Sequence, residues 1–93
     1  MSSVIDTMRS RLSLLAPESL DIIDESAAHA GHEGAKNGGH YRLRIVSAQF
    51  AGKGTVARHQ AVYGALGDLM RERIHALSMV TQTPDEAGAK QNP

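Results

Sequence analysis

Val4, Ile5, Met8, Leu12 and Leu15 recur at steps of three and four, which is one face of an α-helix. Ser2 or Ser3 supplies a start cap and Pro17 lies just past the end, so a helix is predicted from about Ser3 to Leu15. Leu20, Ile22 and Ile23 place a short strand within Ser19–Ser26. Residues 27–39, AAHAGHEGAKNGG, offer only alanines and glycines to a core and read as a long loop. From His40 to Ala48 the chain alternates, with Tyr41, Leu43 and Ile45 on one face and Arg42 and Arg44 on the other. That is a half-buried strand, and with the first it makes an antiparallel hairpin.

After the turn FAGKG at 50–54, helical spacing returns from about Thr55 to Arg73 through Val56, Val62, Tyr63, Leu66, Leu69 and Met70. Gly64 and Gly67 each weaken a helix by roughly 1 kcal/mol relative to alanine. They imply either close packing or two helices with a bend near Arg58–His59. Ile74–Val80, IHALSMV, reads as a third strand. It is reached through helix from the second, so the two are expected to pair in parallel through a right-handed crossover. Residues 84–93 are polar and read as a frayed tail, which sets the domain at 1–83. The expected class is α+β, in the order helix, strand, strand, helices, strand.

Composition narrows the chemistry. A chain of 93 residues accommodates one domain and a modest core. The aromatic residues are Tyr41, Phe50 and Tyr63, so aliphatic side chains must build most of that core. Cysteine is absent, which removes disulfides, thiolate metal sites and cysteine nucleophiles. No apolar run approaches the ~20 residues of a membrane span, and a cytoplasmic setting is the expectation. Net charge is zero but unevenly spread. Between Lys36 and His75 seven basic residues face only Asp68 and Glu72, whereas the rest of the chain is acidic. Such asymmetry steers a charged partner.

Histidine is the notable supply of ligands. His29, His32 and His40 fall in or beside the long loop, and neutral imidazole suits zinc, iron, copper or nickel. A solvated polar loop is the plainer reading of the same residues. His59 sits early in the long helix, where a surface or capping role is the plainer alternative. His75 opens the apolar strand and reads as a hydrogen-bonded structural residue. In AGKG, Lys53 stands between Gly52 and Gly54 before a helix, a position where exposed amides favour an anion; a simple tight turn is the alternative. Asp24 and Glu25 are neighbours on a strand and point to opposite faces, so they make no paired-carboxylate site. No serine lies in a nucleophile context, and no catalytic constellation is present.

Three stretches are similar to the BolA family: DESAAHAGH at 24–32, HYRLRIVSAQFAGKGTVARHQAVYGAL at 40–66 and IHALSMVTQTPDE at 74–86. The most specific part is the ordered set Ser47, Phe50, Gly52, Arg58, His59 and Val62, followed by His75-Ala76-Leu77. The resemblance implies a type II KH-like fold, α-β-β-α-α-β, with a three-stranded mixed sheet. It also implies a non-enzymatic partner of monothiol glutaredoxins, monomeric when isolated. The two proteins would share a [2Fe–2S] cluster to which the glutaredoxin cysteine and a glutathione thiol contribute. Carried onto this chain, it assigns the helix ligand to His59 and the loop ligand to His40, with His29 and His32 as rivals. Mixed imidazole and thiolate ligation raises a cluster's potential over all-thiolate ligation, and it weakens as falling pH protonates imidazole. The resemblance carries a second implication, DNA binding and transcriptional control. The KH-like face and the Gly52-Lys53-Gly54 turn would then act with Arg42, Arg44, Arg58 and Arg71, although the strict GxxG spacing of a KH loop is missing.

Overall fold

The computed structural model describes residues 3–26 and 39–91. Helix α1 (Val4–Leu12) starts at a capping box. The Asp6 N–H donates to Ser3 Oγ at 3.0 Å, and the Ser3 N–H donates to the Asp6 carboxylate. A 3-10 turn (Ser13–Leu15) follows and ends at Ala16, which is left-handed (φ 48°) just before Pro17. Strand β1 (Ser19–Asp24) pairs antiparallel with β2 (Gly39–Val46), from Ser19 opposite Val46 to Asp24 opposite Tyr41. Helices α2 (Thr55–Leu66) and α3 (Leu69–Glu72) then lead to β3 (Ile74–Gln82). Strand β3 lies parallel to β2, and the sheet order is β1-β2-β3. The α-β-β-α-α-β order and the mixed sheet expected from the sequence are both present.

Pleating divides the sheet into two faces. Leu20 and Ile22 share one face with Tyr41, Leu43 and Ile45, and this face meets the helices. The core joins Met8, Leu12, Leu43, Ile45, Phe50, Val62 and Leu66, all fully buried. Asp21, Ile23, Arg42, Arg44, Ser78 and Val80 occupy the other face, where Ile23 and Val80 remain about half exposed.

Two expectations are corrected. The helical stretch breaks at Gly67–Asp68 and not near Arg58–His59. Gly67 adopts φ 57°, a conformation that costs glycine little, and Arg11 Nη1 donates to the last carbonyl of α2, that of Leu66, at 2.8 Å. The polar stretch after Thr83 is helix α4 (Pro84–Gln91), with Ala87 buried. Thr83 and Glu86 cap it reciprocally: the Thr83 N–H donates to Glu86 Oε1 at 2.9 Å and the Glu86 N–H to Thr83 Oγ1 at 3.2 Å.

Arg58 ties α4 to the rest of the molecule. Its guanidinium makes a two-pronged pair with the Glu86 carboxylate (Nη2 to Oε2 3.0 Å). It also donates to the Lys53 carbonyl (2.7 Å) and the Thr81 carbonyl (3.1 Å), and lies 5.9 Å from the centre of the Phe50 ring. The Arg58 guanidinium, helped by the Thr83 N–H, holds the Glu86 carboxyl down to about 2 from a usual 4.5. A carboxyl depressed on folding adds stability above its unfolded pKa and loses it as pH falls toward the folded one. The wild-type chain is therefore expected to lose stability between about pH 4.5 and 2 more steeply than Glu86→Gln. Urea midpoints across that range measure the difference, and parallel curves would show that this pair carries none of the acid sensitivity.

Candidate metal-ligand site and comparisons with known proteins

Parallel pairing brings the first residues of β2 and β3 to the same end of the sheet. His40 lies opposite Ala76, next to an irregularity in register at Gly39. The His40 and His75 rings consequently stand side by side, with centroids 5.1 Å apart and planes inclined at 49°. His75 is exposed and His40 half-buried.

The exit of β1 fixes the backbone at His40. The Glu25 N–H donates to the His40 carbonyl at 2.7 Å, and the His40 N–H donates to Ser26 Oγ at 3.0 Å. Ser26 is itself held, its N–H donating to Asp24 Oδ1 at 2.8 Å. The hydrogen bonds from Ser26 lower the Asp24 carboxyl. Burial, and secondarily the Asp24 charge, pushes the Tyr41 phenol up. Gly39 completes the support, because a Cβ there would lie 2.5 Å from the Tyr41 ring, so only glycine admits the ring over the start of β2. A recess of about 260 Å³ opens beside the imidazole, lined by Glu25, His40, Tyr41, Ala76, Leu77 and Ser78.

His59 is elsewhere. It is half-buried in the second turn of α2, next to Arg58, which reaches the Thr81 carbonyl. Thr81 lies opposite Ile45, and β2 rises about 16 Å between His40 and Ile45. The structure therefore brings His40 to His75 and not to His59. His29 and His32 lie outside the described residues, in the connection whose flanks, Ser26 and Gly39, adjoin His40. No cluster of three or more His, Asp or Glu side chains able to hold a metal occurs among the described residues. Sequence reasoning passed over His75 by weighing it as a lone imidazole. The usable signal was that His40 and His75 each open a strand of a predicted parallel pair.

The residues proposed for nucleic acid divide between two surfaces. Lys53 is exposed beside Gly52 (φ 77°) and Gly54, at the start of α2. Arg42 and Arg44 lie on the sheet face turned away from the helices and pair with Glu25 (3.2 Å) and Asp21 (3.5 Å). Arg58 is committed to Glu86, and Arg71 pairs with Asp68 at 2.6 Å. No helix among the described residues is long and apolar enough to cross a membrane.

A small α+β domain with a three-stranded mixed sheet and an imidazole pair at one end of its parallel strands is the class that fold and site define. The family model described as BolA-like protein matches residues 12–86. The chain belongs to the BolA-like family. It is 41% identical over 80 residues to Protein BOLA1, chloroplastic, of Arabidopsis thaliana, covering 82% of this chain and 50% of that protein. It is also 41% identical over 78 residues to SufE-like protein 1, chloroplastic/mitochondrial, of the same plant, covering 77% of this chain and 21% of the relative. The chain thus spans half or less of these two relatives. Among solved structures, the BolA domain of SufE1 from Arabidopsis thaliana aligns with a TM-score of 0.79 at 41% identity, covering 92% of this chain and 98% of that one. The solution structure of BolA1 from Mus musculus aligns with a TM-score of 0.80 at 30% identity, covering 100% and 75%.

Proposed function

We propose that this chain is a non-enzymatic partner of a monothiol glutaredoxin and that it completes the ligation of a shared [2Fe–2S] cluster. The supporting observation is the His40–His75 pair, two imidazoles side by side at the rim of the sheet. Two nitrogen donors suit one iron of such a cluster when thiolates hold the other. Among the described residues no third metal-binding side chain groups with this pair, and in this reading the remaining ligands are the glutaredoxin cysteine and the glutathione thiol. His75 is the fixed ligand in this reading. His40, or His29 or His32 from the adjoining connection, supplies the second. When bound, the cluster brings reversible one-electron chemistry and a transferable iron–sulfur unit. The chain's own residues orient the imidazoles, through the Ser26 and Glu25 bonds to His40 and the pairing of β3 with β2.

The test is spectroscopic. Adding the chain to a cluster-loaded monothiol glutaredoxin with glutathione is expected to change the visible absorption and circular dichroism of the cluster at equimolar ratio. Spectra equal to the sum of the separate components would refute the proposal. The DNA-binding reading draws less support. Its four arginines, Arg42, Arg44, Arg58 and Arg71, are each paired with a carboxylate within 3.5 Å, and the exposed Lys53 belongs to the turn before α2, not to the sheet face that carries Arg42 and Arg44.

A further inference from the structure

Polar side chains ordinarily fill the outer positions of a sheet that faces water on one side. Ile23 on β1 and Val80 on β3 break that pattern and are 52% and 44% exposed. Among the described residues they are the exposed large apolar side chains of the strands. Both line one recess of about 420 Å³, which crosses all three strands on the face turned away from the helices. This recess shares no lining residue with the one beside His40. Arg44, opposite Val80, lies about 13 Å along β2 from His40.

Three guanidinium groups line the same recess. Arg42 and Arg44 stand on β2, the strand between the two apolar side chains, and are paired with Glu25 and Asp21. Exposed pairs of this kind are nearly neutral and hold weakly. Arg9 reaches the recess from α1. Its Nη1 donates to the Leu20 carbonyl at 3.3 Å, and among the described residues it meets no carboxylate. The recess thus joins an apolar floor to one cation whose charge is unmatched.

We propose that this recess binds a small organic acid with a compact apolar body and a single carboxylate. The body covers Ile23 and Val80 and removes their exposed surface from water. The carboxylate accepts from the Arg9 guanidinium, a charge-assisted bond that strengthens as the body excludes solvent. An apolar lining with a few charged groups, in a volume of a few hundred Å³, is the usual make-up of a small-molecule site. Charge selects the ligand. A polyanion gains little, because Arg42 and Arg44 already have carboxylates. A neutral molecule leaves Arg9 without a counter-charge, and an amine is repelled by it. The site is independent of the imidazole pair and of any cluster held there.

Titrating the full chain with 2-naphthoate, followed by amide chemical shifts, tests this. Saturable shifts are expected at Ile23, Arg44 and Val80, with the roughly millimolar affinity that a molecule of this size attains. The uncharged analogue 2-naphthylmethanol is expected to bind about tenfold more weakly, and Arg9→Gln to weaken the acid by a similar factor. Val80→Ala is expected to weaken acid and alcohol alike, severalfold. Arg71→Gln removes an exposed charge outside the recess and is expected to leave binding unchanged. Arg9, Val80 and Arg71 are all exposed, and far-UV circular dichroism confirms that each variant folds. Shifts that do not saturate, or that map away from this face, overturn the proposal. So does equal binding of acid and alcohol, or an Arg9→Gln chain that binds as wild type does. N-acetyl-leucyl-leucine with a free C-terminus is the competing source of the same chemistry. If it binds more tightly than the naphthoate while its C-terminal amide does not, the recess serves a peptide terminus and the small-acid assignment falls.

Discussion

Replacing His75 with alanine is expected to abolish the spectral change that the wild-type chain produces with cluster-loaded glutaredoxin and glutathione, whereas His59→Ala is expected to leave it intact. The reason is position. His75 is exposed at the rim and lies 5.1 Å, ring to ring, from His40, while His59 follows Arg58 in α2, and the Arg58 guanidinium reaches the Thr81 carbonyl near the other end of β3. Removing one of two imidazoles leaves an iron short of a ligand that solvent must fill, and a labile bridge between chains does not survive that. His75→Cys offers a control: a thiolate can replace the imidazole, so binding should persist with an altered spectrum and a lower potential. The second ligand is read from single replacements of His40, His29 and His32, the ligand being the one whose loss matches that of His75. If His59→Ala, and not His75→Ala, removed the signal, the imidazole pair described here would have no part in ligation.

Phe50→Ala is expected to destabilise the fold by about 3–5 kcal/mol, a large share of the roughly 5–15 kcal/mol that holds a domain together. Phe50 is the largest fully buried side chain among the described residues and the sole phenylalanine. It sits where β2 hands over to α2, in a core otherwise made of Leu, Ile, Val and Met apart from Tyr41. Deleting the ring loses its transfer free energy and leaves a cavity that the helices and sheet only partly close. Phe50→Leu keeps most of the volume and should cost less than about 1.5 kcal/mol. Urea titrations with unchanged m-values measure both differences. A Phe50→Ala midpoint within error of wild type would mean that the ring does not anchor this junction.

The strands and the first helix were legible because their periods are unambiguous. Tyr41, Leu43 and Ile45 alternate with Arg42 and Arg44, and Val4, Met8 and Leu12 recur at helical steps; each set fell on its expected face. The helix break was misplaced because Gly64 and Gly67 look alike in sequence. Gly64 sits mid-helix facing open space, whereas Gly67 takes the left-handed turn under Arg11. Helix α4 escaped notice because, among its described side chains, Ala87 is the one that is buried. Its stability comes from the Thr83–Glu86 cap and from Arg58, distant in the chain, and local composition does not register such a contact. The site was legible in part. The histidine supply and the parallel crossover were both evident. That the crossover joins His40 to His75 emerges only when the register of β2 on β3 is known.

Under the proposed ligation, the placement of the imidazole pair would also tie metal capture to folding order. His40 and His75 are separated in sequence by all of α2 and α3, and they meet only once β3 has slotted in beside β2. Parallel, non-local pairings of this kind close late. A chain still missing its last strand holds these two imidazoles apart, so under the proposed ligation cluster capture would report that the crossover is complete.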